Sequence, residues 1–400
     1  MKNRGINSEQ AKRTNRLLVL QNLSMTGGAS RTELTRRVGL AKMTVTNITA
    51  ELIRSGILRE SQSLGHDRPG AGRPQMLLSF TPKAPAVIGI WLSRDACTGI
   101  LADMALKVLE TRTLPLSAGE TAETLLDKFA DLCASLRGAL SPGQPLLGAG
   151  IASIGPLDLQ SGSILNPPNF GGLHDIPVCA ALSERLDLPV FLENDTNAAA
   201  LAEKYFGCCA SCSNFVYVGL TNGLSAGIVL RDALLHGQHG FAGELGHTVV
   251  DPAGAKCYCG RRGCLETLVT ASRLLREAEG RFGYPFRDFA QLCRFCESRT
   301  EAEEWLAGKL EPLALALANL ANLVDPECIL LGHEGACLPD RILDLLARRV
   351  NAEVLAGERA GIRIGRSSFG PLAAVYGAAV VVLKKVFDGE LGYAQFFREA

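Results

Sequence analysis

Between His247 and Glu266 the chain reads His-x9-Cys-x-Cys-x4-Cys-x-Glu, and this spacing limits the local fold more tightly than any other stretch. His247, Cys257, Cys259 and Cys264 are one imidazole and three thiols, a complete tetrahedral set for a zinc ion. Gly260 and Gly263 stand where a tight knuckle needs residues that tolerate positive φ. All four ligands come from the protein, so a site over 247–264 would be closed and structural, with no open position for a hydrolytic water. Scattered buried thiols are the plain alternative in a chain with 13 cysteines. The short spacing argues against it.

A chain of 400 residues exceeds one ordinary core, so two or three domains are expected. The odd number of cysteines and the absence of a leader pattern point to a reducing cytoplasm. No apolar run reaches the length of a membrane span. The stretches 314–323 and 373–383 read as buried helices, so no membrane partner is expected. Formal net charge is zero but unevenly spread: residues 1–80 hold 13 Lys and Arg against 5 Asp and Glu, a surplus of eight that the rest of the chain cancels. A basic head on an acidic body suggests that the head meets a polyanion.

The head, residues 1–80, reads as three helices and a wing. Leu17, Leu18, Leu20 and Leu23 fit a first helix over 14–26. Ser30 and Glu33 form a capping-box pattern ahead of Leu34 and Val38, and Gly39 supplies the turn. A third helix over 41–55 turns Val45, Ile48, Leu52 and Ile53 inward. Its outward set, Lys42, Thr44, Thr46 and Asn47, lies at the helix start, where a recognition helix makes its base contacts. Ala41 leaves that helix without a side-chain cap. Residues 57–60 and 75–80 read as strands around a basic tip, where Arg68 and Arg73 suit a narrow minor groove. A helical bundle with a solvated charged face is the alternative reading of the same residues.

The body alternates strand and helix. Strands are expected over 87–92, 97–103, 147–154 and 190–193, with helices over 121–140 and near 176–187; the pattern restarts with strands from 215 and over 225–230. Two α/β halves imply two lobes with a cleft between them. Asn169, Asp195, Glu244, His247 and Glu266 fall on loops or turns, most of them after apolar strands. Carboxylates with an amide and an imidazole suit a polyhydroxylated ligand, because each carboxylate accepts two hydroxyl bonds. Taken singly, each is also an ordinary loop polar residue or cap.

Together, Gly243-Glu-Leu-Gly-His247, the stretch from Cys257 to Glu266, Glu193-Asn-Asp-Thr-Asn197 and Asn166-Pro-Pro-Asn169 resemble the ROK family of repressors, open reading frames and sugar kinases. The head is similar to that of its repressor branch. The resemblance implies an actin-like, ribonuclease H-like sugar-kinase fold over 81–400, preceded by a winged helix-turn-helix domain. It implies sugar binding by Asn169, Asp195, Glu244, His247 and Glu266, with Asp195 as the general base if the chain is a kinase and His247 serving both zinc and sugar.

Three loops depart from the kinase pattern. Trp91-Leu-Ser-Arg-Asp95 replaces a Gly-rich phosphate loop, Thr221-Asn-Gly-Leu-Ser225 replaces a second, and Gly332-His-Glu-Gly335 replaces a glycine run beside the nucleotide. Phosphoryl transfer rests on positioning and neutralising phosphates, so altered loops imply sugar binding without transfer. The expected protein is a sugar-responsive DNA-binding regulator acting on a double-stranded operator as a homodimer or homotetramer. An active kinase with an appended head, and a zinc-stabilised scaffold without ligand, are the alternatives.

Overall fold

The computed structural model describes residues 8–62, 76–117, 119–168, 170–359 and 361–397. Leu17, Leu20 and Leu23 do line the buried face of a first helix, α1 (Ser8–Thr26). It starts earlier than the apolar period predicts, because its polar first turns are held by tertiary contacts. Arg13 donates to the Gly389 carbonyl, and its guanidinium lies 4.5 Å from the centre of the Tyr393 ring.

In α2 (Arg31–Val38) the Ser30 hydroxyl accepts the Glu33 N–H at 3.2 Å, and Gly39 ends the helix at φ 68°. The third helix, α3 (Lys42–Arg54), buries Val45, Ile48 and Leu52, leaves Ile53 half-buried, and has no side-chain cap at Ala41. Strands β1 (Leu58–Gln62) and β2 (Met76–Phe80) then pair antiparallel, from Leu58 opposite Phe80 to Gln62 opposite Met76. An Ala29–Leu78 bridge ties this wing to the helices. The wing tip, with Arg68 and Arg73, lies outside the described residues.

The rest of the chain builds one sheet plan twice. The first sheet uses β3 (Ala86–Leu92), β4 (Ala96–Asp103), β5 (Val108–Pro115), β6 (Leu146–Ser153) and, across a small hairpin of β7 (Leu157–Asp158) and β8 (Ser163–Ile164), β9 (Val190–Asn194). Its order is β5-β4-β3-β6-β9, antiparallel through β3 and parallel beyond it. Helices α4 (Ala122–Arg137) and α5 (Val178–Leu186) pack beside it, and α6 (Asp195–Phe206) leaves it.

The second sheet repeats the plan with β10 (Phe215–Leu220), β11 (Leu224–Leu230), β12 (Ala233–Leu234), β13 (Cys328–His333) and β14 (Arg363–Arg366), in the order β12-β11-β10-β13-β14. A helical layer covers it: α7 (Ala271–Phe282), α8 (Phe289–Glu297), α9 (Thr300–Lys309), α10 (Glu311–Val324) and α11 (Asp340–Glu353). Two α/β lobes were legible from the repeated strands. The edge strands β5 and β14 were not, since both are largely polar and exposed, with little apolar patterning to mark them.

The lobes interlock through two exchanged helices. Helix α6 packs under the second sheet, and α12 (Ala373–Phe387), near the chain end, packs under the first; the two lie against each other. A Cβ at Gly377 would fall 2.0 Å from the Ala198 carbonyl oxygen, so only glycine permits this approach. Val380, Val382, Leu383 and Val386 of α12 are buried, each contributing roughly 1.5–3 kcal/mol by leaving water. The apolar stretch here is longer than the sequence reading allowed. Gly370–Phe387 reaches 18 residues, enough to cross a membrane by length and composition, yet 67% of it is buried inside the protein as a core helix. A short last helix, α13 (Tyr393–Phe396), follows.

Candidate functional site

His247, Cys257, Cys259 and Cys264 converge, with all four ligand atoms within 4.8 Å of one another. Cys257 Sγ lies 3.7 Å from His247 Nδ1, and Cys259 Sγ lies 3.6 Å from Cys264 Sγ. Zinc–ligand bonds of about 2.0–2.3 Å in a tetrahedron give edges of about 3.5–3.8 Å, so the set fits the ion. Gly260 and Gly263 take φ of 91° and 69°, and a Cβ at Gly263 would collide with the Asp251 carbonyl at 1.5 Å. Both glycines therefore stand where the knuckle needs them.

Beside the knuckle, between the lobes, lies a cavity of about 550 Å³. Asp195, Glu244, His247 and Glu266 all line it, and Asn166 and Pro168 form part of its rim. Asn169 lies outside the described residues. The cavity's first-lobe wall is the start of α6. The Asn194 side chain caps that helix by accepting the Thr196 and Asn197 N–H groups at 3.0 and 3.2 Å. Asp195 then sits in the first turn, 7% exposed, with its Oδ1 accepting the Thr196 N–H at 2.8 Å. Burial pushes its carboxyl up to about 6, against the opposing pull of that N–H. Burial also raises Glu244 and Glu266. Three carboxylates facing one polar space are costly when empty and well matched to a ligand rich in hydroxyl donors.

Two lining residues escaped the sequence reading. Tyr258, between two knuckle thiols, is 58% exposed, and its hydroxyl lies 2.9 Å from His247 Nε2. With Nδ1 turned to the sulfurs, Nε2 carries the ring proton and donates to that hydroxyl. Direct sugar contact by His247 therefore requires Tyr258 to give way. Arg94 donates to the Pro168 carbonyl and lines the cavity from the loop after β3. A tyrosine inside a metal-ligand spacing and an arginine inside a degraded phosphate loop carry no pattern of their own.

At the other side of the cleft two of the three departing loops meet as side chains, while Thr221, Gly223, Leu224 and Ser225 of the third line the cavity itself. The Trp91 ring from β3 and the His333 ring at the end of β13 stand edge to face, 5.5 Å apart. His333 is 1% exposed and adopts φ 52°, a strained conformation for a residue with a Cβ. Its N–H donates to the Tyr217 hydroxyl at 3.2 Å. Burial holds the His333 imidazole down at about 4, hence neutral, and raises Glu334 to about 7, helped by the charges of Asp195 and Asp95. His333 Nε2 and Glu334 Oε2 are buried without a hydrogen-bond partner among the described residues, and the buried Trp91 indole N–H is turned toward the Asp195 carboxylate. The β3–β4 loop folds into a tight turn, Ser93 N–H to Ala96 carbonyl at 3.0 Å, rather than an open cradle.

On the head, Lys42 and Asn47 are exposed at the start of α3, while Thr44 and Thr46 are half-buried. The Thr46 hydroxyl donates to the Lys42 carbonyl at 2.8 Å, which leaves only its acceptor sites for a partner. Met43, 69% exposed on the same turn, is a further candidate contact, since its apolar side chain suits a thymine methyl. Arg16 binds the head together and to the body. This buried guanidinium donates to Glu51 of α3 at 2.6 Å and to the Tyr393 hydroxyl at 3.1 Å.

Known proteins share this plan. The sequence pattern of the ROK family matches residues 87–385. A xylose repressor of Caldicellulosiruptor bescii is 29% identical over 391 residues, covering 94% of this chain and 97% of its own. The crystal structure of a ROK family transcriptional regulator, a homologue of the E. coli MLC protein, superposes with a TM-score of 0.77 at 25% identity, covering 95% of this chain and 98% of that one. A ROK hexokinase from Thermus thermophilus superposes with a TM-score of 0.64 at 30% identity, covering 76% of this chain and all of that one. The two structures differ in coverage by about the length of the head.

Proposed function

The chain belongs to the ROK family, and we propose that it is a sugar-responsive, DNA-binding transcriptional repressor that binds a free sugar without phosphorylating it. The observation that carries this reading is one continuous run of packed helices from the cavity to the DNA-facing surface. Asp195 opens α6, α6 lies against α12, α12 touches α1, and Arg16 of α1 holds Glu51 of α3. The head over 1–80 reads DNA, and the body over 81–400 reads sugar.

In this mechanism Asp195, Glu244 and Glu266 accept sugar hydroxyls, with Asn169 and, once Tyr258 has moved, His247 completing the set. Lys42, Thr44, Thr46 and Asn47 face the major groove, and Arg68 and Arg73 the minor groove. Zinc held by His247, Cys257, Cys259 and Cys264 would fix the wall that carries the last of the sugar contacts. Sugar prefers closed lobes, and closure moves α6 and α12 together, which changes how two heads of a homodimer or homotetramer match a two-fold operator. The shift can be no larger than the sugar's preference for one state.

Thermal shift of the zinc-loaded chain against a panel of neutral sugars, with and without Mg-ATP, tests this. Xylose heads the panel because of the relative's name. Stabilisation by a sugar, nothing added by Mg-ATP and weaker operator binding with that sugar are expected. Sugar phosphate formed in the assay would convert the reading to a kinase, the activity named for the hexokinase neighbour. Operator affinity indifferent to every sugar would remove the coupling.

A further inference from the structure

The knuckle uses three of the 13 cysteines, and three others converge elsewhere. Cys209 and Cys212 lie in the turn that leaves α6, and Cys328 opens β13. Their sulfurs all lie within 4.8 Å of one another, and Cys209 Sγ is 3.4 Å from Cys328 Sγ. The three are buried, yet Cys208, Ala210 and Ser211 around them are exposed, so the cluster sits one residue beneath the surface. It follows the end of α6, about 18 Å along that helix from Asp195 at 1.5 Å per residue.

We propose that Cys209, Cys212 and Cys328 form a second metal site, one that takes a soft thiophilic cation of the Cu(I) class in three-sulfur coordination. Metal–sulfur bonds of about 2.3 Å in a trigonal plane place the sulfurs about 4.0 Å apart, within the observed spread. The backbone is arranged for it. Cys212 N–H donates to the Cys209 carbonyl at 3.0 Å, a turn that brings both thiols of the Cys-x-x-Cys pair to one side. A disulfide would use two sulfurs and leave the third unexplained, and apolar packing would explain the burial but not the convergence. Positive charge stands nearby. Arg363 Nη2 lies 4.0 Å from Cys212 Sγ, and Lys204 Nζ donates to the Cys212 carbonyl at 2.9 Å; Glu327 opposes them.

The ligand chemistry selects the ion. Three sulfurs without oxygen or nitrogen favour Cu(I) over hard cations. Structural zinc takes four ligands, and among the described residues the mutually close set stops at three: the Cys208 thiol touches Cys209 but donates to Glu203, whereas the knuckle has its histidine. On binding, each coordinating thiol releases its proton to solvent and no electron changes hands. The ion would pin the end of α6 to the base of β13.

The full-length, zinc-loaded chain is to be titrated anaerobically with Cu(I) held by a competing chelator, with metals counted per chain by native mass spectrometry. One Cu(I) beside a retained zinc is expected, with a thiolate-to-copper charge-transfer band. Cys212→Ser and Cys328→Ser should each lower Cu(I) affinity by more than about 100-fold, a larger loss than outer contacts to a metal give, and keep their zinc. Cys179→Ser, which alters a thiol remote from the cluster, should bind as the parent does. Copper that enters only by displacing zinc overturns the site, as does full binding by Cys328→Ser. The parent count holds even where a serine variant fails to fold. A Cys209–Cys328 disulfide formed with an organic disulfide, together with no Cu(I) bound by the reduced chain, would overturn the metal site in favour of a redox pair.

Discussion

The two sides of the interlobe cleft are built on opposite terms. On the knuckle side, Asp195, Glu244 and Glu266 face an open polar cavity of about 550 Å³. On the β13 side, Trp91 and His333 close the gap ring to ring, with the Glu334 carboxyl buried beside them. Both sides carry buried polar groups without full partners, which is costly in a folded protein. The first has room for a ligand to repay that cost. In the proposed reading the open side takes hydroxyls, and two of the three stretches that depart from the kinase pattern pack together on the other side. A protein that must recognise a sugar needs the first; phosphoryl transfer needs both.

The largest effect should follow from removing the support of the open side. Cys264 is fully buried in the knuckle, and Cys264→Ser should abolish zinc retention. Loss of a structural metal belongs to the few changes that cost more than about 4 kcal/mol. Thermal stability should fall and the sugar-induced shift should vanish, while the Trp91–His333 side stays packed, read by Trp fluorescence. A sugar shift surviving in zinc-free protein would separate the knuckle from the ligand.

Asp195→Asn comes next and acts in two directions. An ordinary aspartate ionises near 3.8, and Asp195 near 6, so the folded chain binds this proton more tightly than the unfolded one. Stability therefore falls as pH rises between those values and stays lower above them, by about 2–3 kcal/mol at 1.36 kcal/mol per unit. Asparagine removes that cost. The ligand-free variant should be more stable at neutral pH and lose the slope between about 4 and 6. Sugar affinity should drop by about 1.5–3 kcal/mol, the worth of a hydrogen bond to a charged group. Denaturant melts across pH, with and without sugar, check both signs; a variant less stable at neutral pH would contradict the buried charge.

Much of this contrast could be read in the sequence, and its limits have physical causes. The two lobes were legible because buried strands such as β3, β6 and β10 are continuous apolar runs. The knuckle was legible because metal ligands fix their own spacing. Trp91, His333 and Glu334 were visible as departures from a pattern. Their meeting was not, because β3 and β13 belong to different lobes and only the exchange of α6 and α12 brings them together. Tyr258 was hidden for a related reason: its partner is the far nitrogen of a ligand histidine, a contact set by knuckle geometry. The Cys209–Cys212–Cys328 cluster spans two segments 116 to 119 positions apart, beyond any local spacing rule.

Arg16→Met tests whether the open side speaks to the head. Arg16 is 8% exposed and bridges α3 to the chain end. Methionine keeps the aliphatic bulk but strands Glu51, which is partly exposed and so partly solvated; a cost of about 1–3 kcal/mol is expected. The variant should still be stabilised by sugar, yet its operator affinity should respond less. Unaltered coupling would mean that the path runs elsewhere.

The smallest readout, a nucleotide-induced shift, bears most directly on the contrast, because it asks whether the rings are the barrier. A triple change, Trp91→Ala, His333→Gly and Glu334→Gly, empties the closed side. Trp91 is half-buried, so removing its indole should cost less than the about 3–5 kcal/mol of a fully buried ring. Glycine at 333 relieves a strained φ worth about 1–3 kcal/mol, so part of the loss returns. If the folded variant gains a nucleotide site, Mg-ATP at ten times its Kd should stabilise it by about 1.4 kcal/mol. The parent chain should show no such shift. Sugar binding on the open side should persist but weaken, because Asp195, Glu244 and Glu266 remain while Asp195 loses the Trp91 N–H that faces it. A nucleotide shift in the parent would show that the rings do not close the site. A folded triple variant that ignores Mg-ATP would place the barrier in the tight β3–β4 turn instead, where the Ser93 N–H is spent on the Ala96 carbonyl and the Ala96 N–H on the Ser93 hydroxyl.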